Sequence, residues 1–349
     1  MSGSTMRAVM YLEPRHLELR EVAVPEPASG EVIVRVEKAT LCGTDLKGYK
    51  RGHRLFRPPM IFGHEYGGFI SAVGEGVTRW REGDRVVAAN SAPCNQCFYC
   101  KRGKHQLCVE IVDRMVYGAY ADYVRVPAHI VEQNLHHVAR DVPLEYACFT
   151  EPMACSVLCV MNAGIQLGDD VAIIGAGAQG LMLIQLAKLA GAGRVMVVGR
   201  SKGRLETARE IGADVLLSSL DGDPVEHVKS LTGGRGADVT IEAAGSDDTW
   251  RMAAAITRPG GTAILYSGLP AGVEVAFDAA RLHYHEVTLK GVFHHTPRTV
   301  EMALRLIMTG RINVAPMLSG EIPLEQVEDG LLRMDRSEAI KLAVNMGLS

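Results

Sequence analysis

The chain has 349 residues, 47% of them hydrophobic and 22% charged, with a formal net charge of −3. That length suits two globular domains better than one core, and the charge balance excludes the basic footprint of a nucleic-acid or anionic-membrane binder. No apolar stretch is expected to approach the roughly 20 residues that span a bilayer, and the charged opening MSGSTMRAVMYLEPRHLELR is not expected to act as a secretory signal, so a cytoplasmic protein is anticipated.

In chain order, residues 6–150 carry short β-rich runs such as Val32–Val36 and Asp84–Ala88, separated by Gly, Pro and Asp turns. That is an all-β or α+β pattern. Leu41-Cys42-Gly43-Thr44-Asp45 follows the strand-like VIVRVEKA, and Ile61-Phe62-Gly63-His64-Glu65 comes some twenty residues later. Between them Lys47, Lys50, Arg51, Arg54 and Arg57 share a stretch with His53 and with no acid after Asp45. It reads as a solvated basic loop, or as one that draws an anionic substrate. Next come Cys94, Cys97, Cys100 and Cys108, in the run CNQCFYCKRGKHQLC. Four thiolates at that spacing can close around one tetrahedral Zn²⁺. Two disulfides, an iron–sulfur cluster and a zinc ribbon for nucleic acid are the other readings of such a run. Glu151 stands in Thr150-Glu151-Pro152, and Cys155 and Cys159 lie one helical turn apart, as core thiols or, for Cys155, as a rival ligand. Cys, His and carboxylate side chains suit a zinc site with one open position, although each alone has an ordinary structural reading.

Residues 171–290 change character. VAIIG, a helix at 178–190, RVMVV, a helix at 201–211, DVLL, ADVTIEA, a helix near 248–256, GTAILYS and VTLKG alternate, which reads as a parallel sheet with helices on both faces. Gly175, Gly177 and Gly180, with Ala178 and Gln179 between them, form GAGAQG between a strand and a helix, the context that turns a glycine pattern into a dinucleotide fingerprint. The first glycine permits the turn, the second admits the pyrophosphate, and the third lets helix and strand pack. Gly199, Arg200 and Ser201 end the next strand, with Lys202 and Arg204 behind them. No carboxylate is there to hold the ribose hydroxyls of NAD(H), whereas Arg200 suits a 2′-phosphate, so NADP(H) is the expected preference. Alternatively, Arg200 lies flat on adenine and NAD binds. Phe293-His294-His295 binds substrate hydroxyls or caps a loop, and His283 and His285 read as interface or packing residues. The tail, 296–349, has a helix near 298–309 closed by Gly310.

Taken together, CGTD, GHE, the cysteine run, TEP and GAGAQG resemble the zinc-dependent medium-chain alcohol dehydrogenases, most closely the polyol (sorbitol) and threonine dehydrogenase branch, over essentially the whole chain. The resemblance implies an α/β protein with a β-rich GroES-like catalytic domain, 1–155 and 296–349, carrying a zinc lobe at about 90–110, and a doubly wound Rossmann domain, 156–295. It implies two zinc ions per chain. A catalytic ion is expected on Cys42 and His64, with Glu65 and Glu151 sharing or exchanging coordination, and a structural one on Cys94, Cys97, Cys100 and Cys108. Asp45 would orient His64, and Thr44 would be the first hydroxyl of a proton relay. Lys47 stands where many relatives have a His, which departs from the outer relay. The implied reaction is hydride transfer between NADP(H) and a secondary alcohol, whether a polyol, a sugar alcohol or a related hydroxy compound, an anionic one included. A homodimer or homotetramer is expected, with a small-molecule substrate and no nucleic-acid or membrane partner. The competing functions are a zinc-free quinone or enone reductase on the same fold and a non-catalytic nucleotide-binding redox sensor. The zinc set and Thr44 argue against both.

Overall fold

Val32–Thr40, a run of β-branched residues, is buried along most of its length and pairs antiparallel with Tyr66–Val73 on one side and with Tyr123–Val126 and Lys341–Asn345 on the other. It is the centre of a seven-stranded sheet that continues through Arg85–Ala88 and Leu135–His137 at one edge and Leu318–Pro323 at the other. A second sheet of three strands orders His16–Ala23, Thr5–Glu13 and Met60–Ile61. Burial of Val32, Val34, Val36, Leu41, Ile70 and Leu342 gives this unit its own core. The computed structural model describes residues 4–347. They form two units, one from the residues up to Ala154 with those from His295 onward, the other Cys155–His294.

The basic stretch after Cys42 is not a loop throughout. Gly43–Arg51 is a helix whose N-cap is Cys42: the Thr44 N–H donates to Cys42 Sγ at 3.4 Å, and the Cys42 N–H donates to Asp45 Oδ2 at 3.2 Å. This is a capping box in which sulfur replaces the usual hydroxyl. The stretch is also not a row of free cations. Lys50 pairs with Asp335 at 2.7 Å and Arg57 with Asp113 at 2.5 Å, acids that lie far away in sequence.

The second unit is a six-stranded parallel sheet in the order Val215–Ser218, Arg194–Gly199, Asp170–Ile174, Ala237–Glu242, Thr257–Leu265, Thr288–Gly291. The strand order reverses beside Asp170–Ile174, where doubly wound sheets bind ligands. Val171 to Ile174 are at most 2% exposed, as expected of a strand covered on both faces. The helices Pro224–Leu231 and Ala279–His283 are not among the expected elements, although for the first the start signals are present: Asp223 caps Val225 N–H at 2.9 Å and Pro224 opens the first turn.

The expectation about apolar length needs correcting. The run Leu144–Ala163 contains a 20-residue helical stretch with mean hydropathy 1.2, long and apolar enough to cross a bilayer by length and composition. Of its most apolar window, 72% is buried inside the protein, the behaviour of a core helix.

Candidate active site

Three strands of the first unit converge where the candidate ligands stand. The Thr40 N–H donates to the Glu65 carbonyl at 3.1 Å and the Leu41 N–H to the Leu342 carbonyl at 3.0 Å. Cys42, His64 and Glu65 each present a ligand atom, all within 4.8 Å of one another. Asp45 is fully buried, and its Oδ1 lies 3.0 Å from His64 Nδ1. Its Oδ2 accepts from the Tyr120 hydroxyl at 2.5 Å. A histidine held at Nδ1 by a carboxylate presents Nε2 to a metal, the usual way such a ring is aimed.

Glu65 is 0% exposed. Its Oε2 accepts from Lys341 Nζ and from Thr40 Oγ1, while Oε1 has no hydrogen-bond partner. Leaving a buried carboxylate oxygen without a donor is costly, and a cation between it, a thiolate and an imidazole removes that cost. Sulfur, nitrogen and oxygen donors of this kind are a zinc set. In the metal-free protein, burial and mutual charge shift the ionisation of these groups. Burial, reinforced by Glu65, pushes the Cys42 thiol up. Burial would push His64 down, but Asp45 and Cys42 overcome it and hold the imidazole well above its ordinary value. For Lys341, burial is again outweighed, chiefly by Glu65, and the ammonium is raised.

Glu151 stands in the first turn of the helix Thr150–Ala163 and is 6% exposed. Its carboxyl is outside the close trio of Cys42, His64 and Glu65, and its Oε1 lies 3.7 Å from His295 Nε2. Burial, with a contribution from the Glu65 charge, raises Glu151 to about 7. Thr44 is half-buried in the first turn after Cys42. Sequence reading missed Lys341, Thr40 and Tyr120. For Lys341 a signal existed, since it is the one cation in the apolar strand KLAVN.

The sulfurs of Cys94, Cys97, Cys100 and Cys108 form a second group within 4.8 Å, and all eight cysteines are free, so the disulfide reading is not realised. Backbone N–H groups of Cys100 and Val109 bring Cys97 down to about 6, whereas burial raises Cys100 to about 12 and also raises Cys108. The core of this lobe is the four sulfurs and Ile111.

In the second unit, Gly175 has φ +111° and a Cβ there would stand 3.0 Å from the Ala243 carbonyl carbon. A Cβ on Gly180 would lie 1.8 Å from the Gly175 oxygen, so the helix Ala178–Leu189 packs on the strand only because residue 180 is glycine. Gly177, the N-cap of that helix, would meet nothing within 4 Å and makes no side-chain cap. Open space before uncapped N–H groups fits a pyrophosphate. Gln179 is less available than the sequence suggests, because its Oε1 accepts from Ser156 Oγ at 2.5 Å and the Tyr266 hydroxyl at 2.8 Å. Gly199 does not simply leave room for a ligand, since a Cβ there would come 2.9 Å from Leu205 Cδ2. Arg200 is exposed, and Ser201 caps the helix Lys202–Glu210 without a side-chain hydrogen bond. Arg204 is half-buried, and that burial lowers its guanidinium pKa.

An open cavity of about 380 Å³ in the first unit is lined by Leu55, Val112, Met115 and Tyr117, with the Arg57–Asp113 pair at its wall. The Tyr117 ring meets the His64 ring edge-on with centroids 6.2 Å apart. Burial raises the Tyr117 hydroxyl to about 12, so it remains a neutral donor.

A zinc-type donor set in a β-rich unit, together with a fingerprinted doubly wound sheet in the same chain, is the construction of a zinc-binding dehydrogenase. Residues 28–135 match the model of the alcohol dehydrogenase GroES-like domain, and residues 178–309 match that of the zinc-binding dehydrogenases. The chain is 33% identical to the L-threonine 3-dehydrogenase of Pyrococcus furiosus over 90% of each chain. It is 32% identical to the erythritol/L-threitol dehydrogenase of Mycolicibacterium smegmatis over 97% of each. Among solved structures, a protein of Sinorhizobium meliloti 1021 described as a zinc-binding dehydrogenase bound to NADP superposes with a TM-score of 0.90 at 30% identity, covering 98% of this chain and 99% of that one. The chain belongs to the zinc-dependent medium-chain alcohol dehydrogenases, in the branch of the polyol and threonine dehydrogenases. It is an enzyme that uses zinc and a nicotinamide cofactor on a small-molecule alcohol.

Proposed function

We propose that this dehydrogenase interconverts a secondary alcohol of the polyol or sugar-alcohol class with its carbonyl compound, using NADP(H). The observation that carries the reading is the trio Cys42, His64 and Glu65, with the buried Glu65 Oε1 lacking any hydrogen-bond donor. These three residues would hold the catalytic zinc and Glu151 would exchange with Glu65, while Cys94, Cys97, Cys100 and Cys108 would hold a structural ion. Zinc supplies the Lewis acidity that makes an alcohol acidic near neutral pH, and the nicotinamide accepts or returns the hydride. Asp45 orients His64, the neutral Tyr117 borders the space beside it, and Thr44 takes the alcohol proton at Oγ1. A neutral polyol is favoured over an anion, because Arg57, the cation at the cavity wall, is already paired with Asp113. A cytoplasmic homodimer or homotetramer belongs to the same reading, and light scattering on the purified chain tests the assembly.

Zinc analysis, with a panel of polyols, sugar phosphates and amino alcohols assayed with NAD⁺ and NADP⁺, tests the function. Fewer than two ions per chain, or activity indifferent to chelator, would return the zinc-free reductase to favour.

NADP(H) preference is supported by exposed Arg200, by the unused Ser201 cap and by the NADP-bound relative. Charge-assisted bonds to a phosphate contribute about 1.5–3 kcal/mol each. Arg200→Ala should therefore lower kcat/KM for NADP⁺ by roughly ten- to a hundredfold and leave that for NAD⁺ nearly unchanged. Equal or better efficiency of the unaltered enzyme with NAD⁺ would refute the preference.

Loss of a positioned proton-transfer group typically costs about 10²–10⁴ in rate. Thr44→Val is expected in that range. Lys47→Ala should cost less than about tenfold, because a lysine is ordinarily protonated and a poor proton acceptor. Steady-state turnover of the two variants decides the matter, and similar losses would contradict the assignment.

A further inference from the structure

We propose that Lys341 is a positioning residue of the metal centre, a buried ammonium that fixes Glu65 with one oxygen turned toward the ion. The proposal rests on the reading of Cys42, His64 and Glu65 as ligands. Lys341 is 2% exposed and lies on the strand Lys341–Asn345, whose backbone is tied to Leu41 through Leu342 and to Thr40 through Ala343. Its Nζ donates to Glu65 Oε2 and, at 2.9 Å, to the Leu41 carbonyl, and it stands 5.3 Å from the centre of the Phe149 ring. Thr40 Oγ1 donates to the same Oε2.

The asymmetry is the informative point. Both donors go to one carboxylate oxygen, Oε2, and Oε1 receives none, while a carboxylate oxygen of Glu65 stands within 4.8 Å of ligand atoms of Cys42 and His64. A carboxylate held this way cannot turn Oε2 toward the ion without breaking two buried hydrogen bonds, one of them to a charge. Charge adds a second effect. A thiolate and a carboxylate together cancel a divalent ion, and a fixed ammonium beside them returns positive potential to the place where an alcohol oxygen must lose its proton. Lys341 touches no substrate in this scheme. It acts through Glu65.

Cobalt(II) in the catalytic site reports its ligands through visible absorption bands and is removed by chelator at a measurable rate. In Lys341→Met those bands should shift, and catalytic-site cobalt should be lost about ten- to a hundredfold faster, the range found when partners of metal ligands are removed. The ion of the cysteine lobe should leave at its original rate. Because the lysine acts through Glu65, adding K341M to a Glu65→Gln background should change neither readout appreciably. Thr40→Val, which keeps the ion pair, should shift the bands in the same direction by less, and it decides the question if K341M does not fold. Unchanged bands and release in folded K341M, unchanged bands in T40V where K341M does not fold, or a K341M effect as large with E65Q as without it, overturns the proposal. If the unaltered chain takes up no ion at Cys42 and His64, it is the ligand reading that has failed.

Discussion

His64→Ala should reduce turnover by at least about a thousandfold, roughly 4 kcal/mol of transition-state stabilisation, while the dissociation constant of NADP(H) stays within about twofold. Metal content should fall by one ion per chain, leaving the one on the cysteine lobe. The size of the effect follows from the geometry. His64 is one of the three donors of the trio, and Asp45 holds its Nδ1 so that the ring is fixed in place. Removing the ring also leaves Asp45 buried with only Tyr120 and the Cys42 N–H as donors. Fluorescence titration with NADPH and metal analysis on the same preparation separate this outcome from unfolding. A variant that kept one tenth of normal turnover would show that the ion at this centre does not carry the chemistry.

Cys108→Ser should cost the second ion and the order of the segment around it. Cys108 is 3% exposed, and apart from the four sulfurs the lobe buries only Ile111. So small a core cannot hold residues 94–111 by apolar burial, and structural zinc sites typically supply about 10–16 kcal/mol of apparent binding free energy to their folds. Limited proteolysis should cut the variant within this segment under conditions that leave the unaltered chain intact. If about 4 kcal/mol of that support reaches the global transition, Tm should fall by roughly 5 °C. In the unaltered protein, retention of the lobe's ion should weaken as pH falls. Burial raises the Cys100 and Cys108 thiols, so both must surrender protons to bind metal, and acid restores those protons. A Cys108→Ser chain with its full metal content and an unchanged proteolytic pattern would refute the assignment.

Most of the nucleotide unit was legible because its signals are local. A buried strand, three glycines and an apolar helix are consecutive in sequence, and the structure places Asp170–Ile174, GAGAQG and Ala178–Leu189 in that order. The helix Gly43–Arg51 was hidden because its cap is a sulfur and its face is basic, features that read as loop when acids such as Asp335 are out of sight. At the centre itself, Cys42, His64 and Glu65 could be named from short motifs. The supports could not. Thr40, Tyr120 and Lys341 act through tertiary contacts across 25, 75 and 276 residues, and no spacing rule covers such separations. Gly199 is also hidden from local reading: the packing reason for a glycine there is Leu205, whose Cδ2 would lie 2.9 Å from a Cβ.

The 276 residues between Glu65 and Lys341 also impose an order of events during synthesis. The whole nucleotide unit, 155–294, leaves the ribosome after the first candidate ligands and before the ammonium that accompanies them. At roughly 5–20 residues per second, Glu65 waits on the order of tens of seconds for its partner. During that interval a thiol, an imidazole and a carboxylate are already in the nascent chain, without the strand that completes their surroundings. Any ion captured then would meet its full set of candidate ligands, with Glu65 not yet fixed by the lysine that positions it.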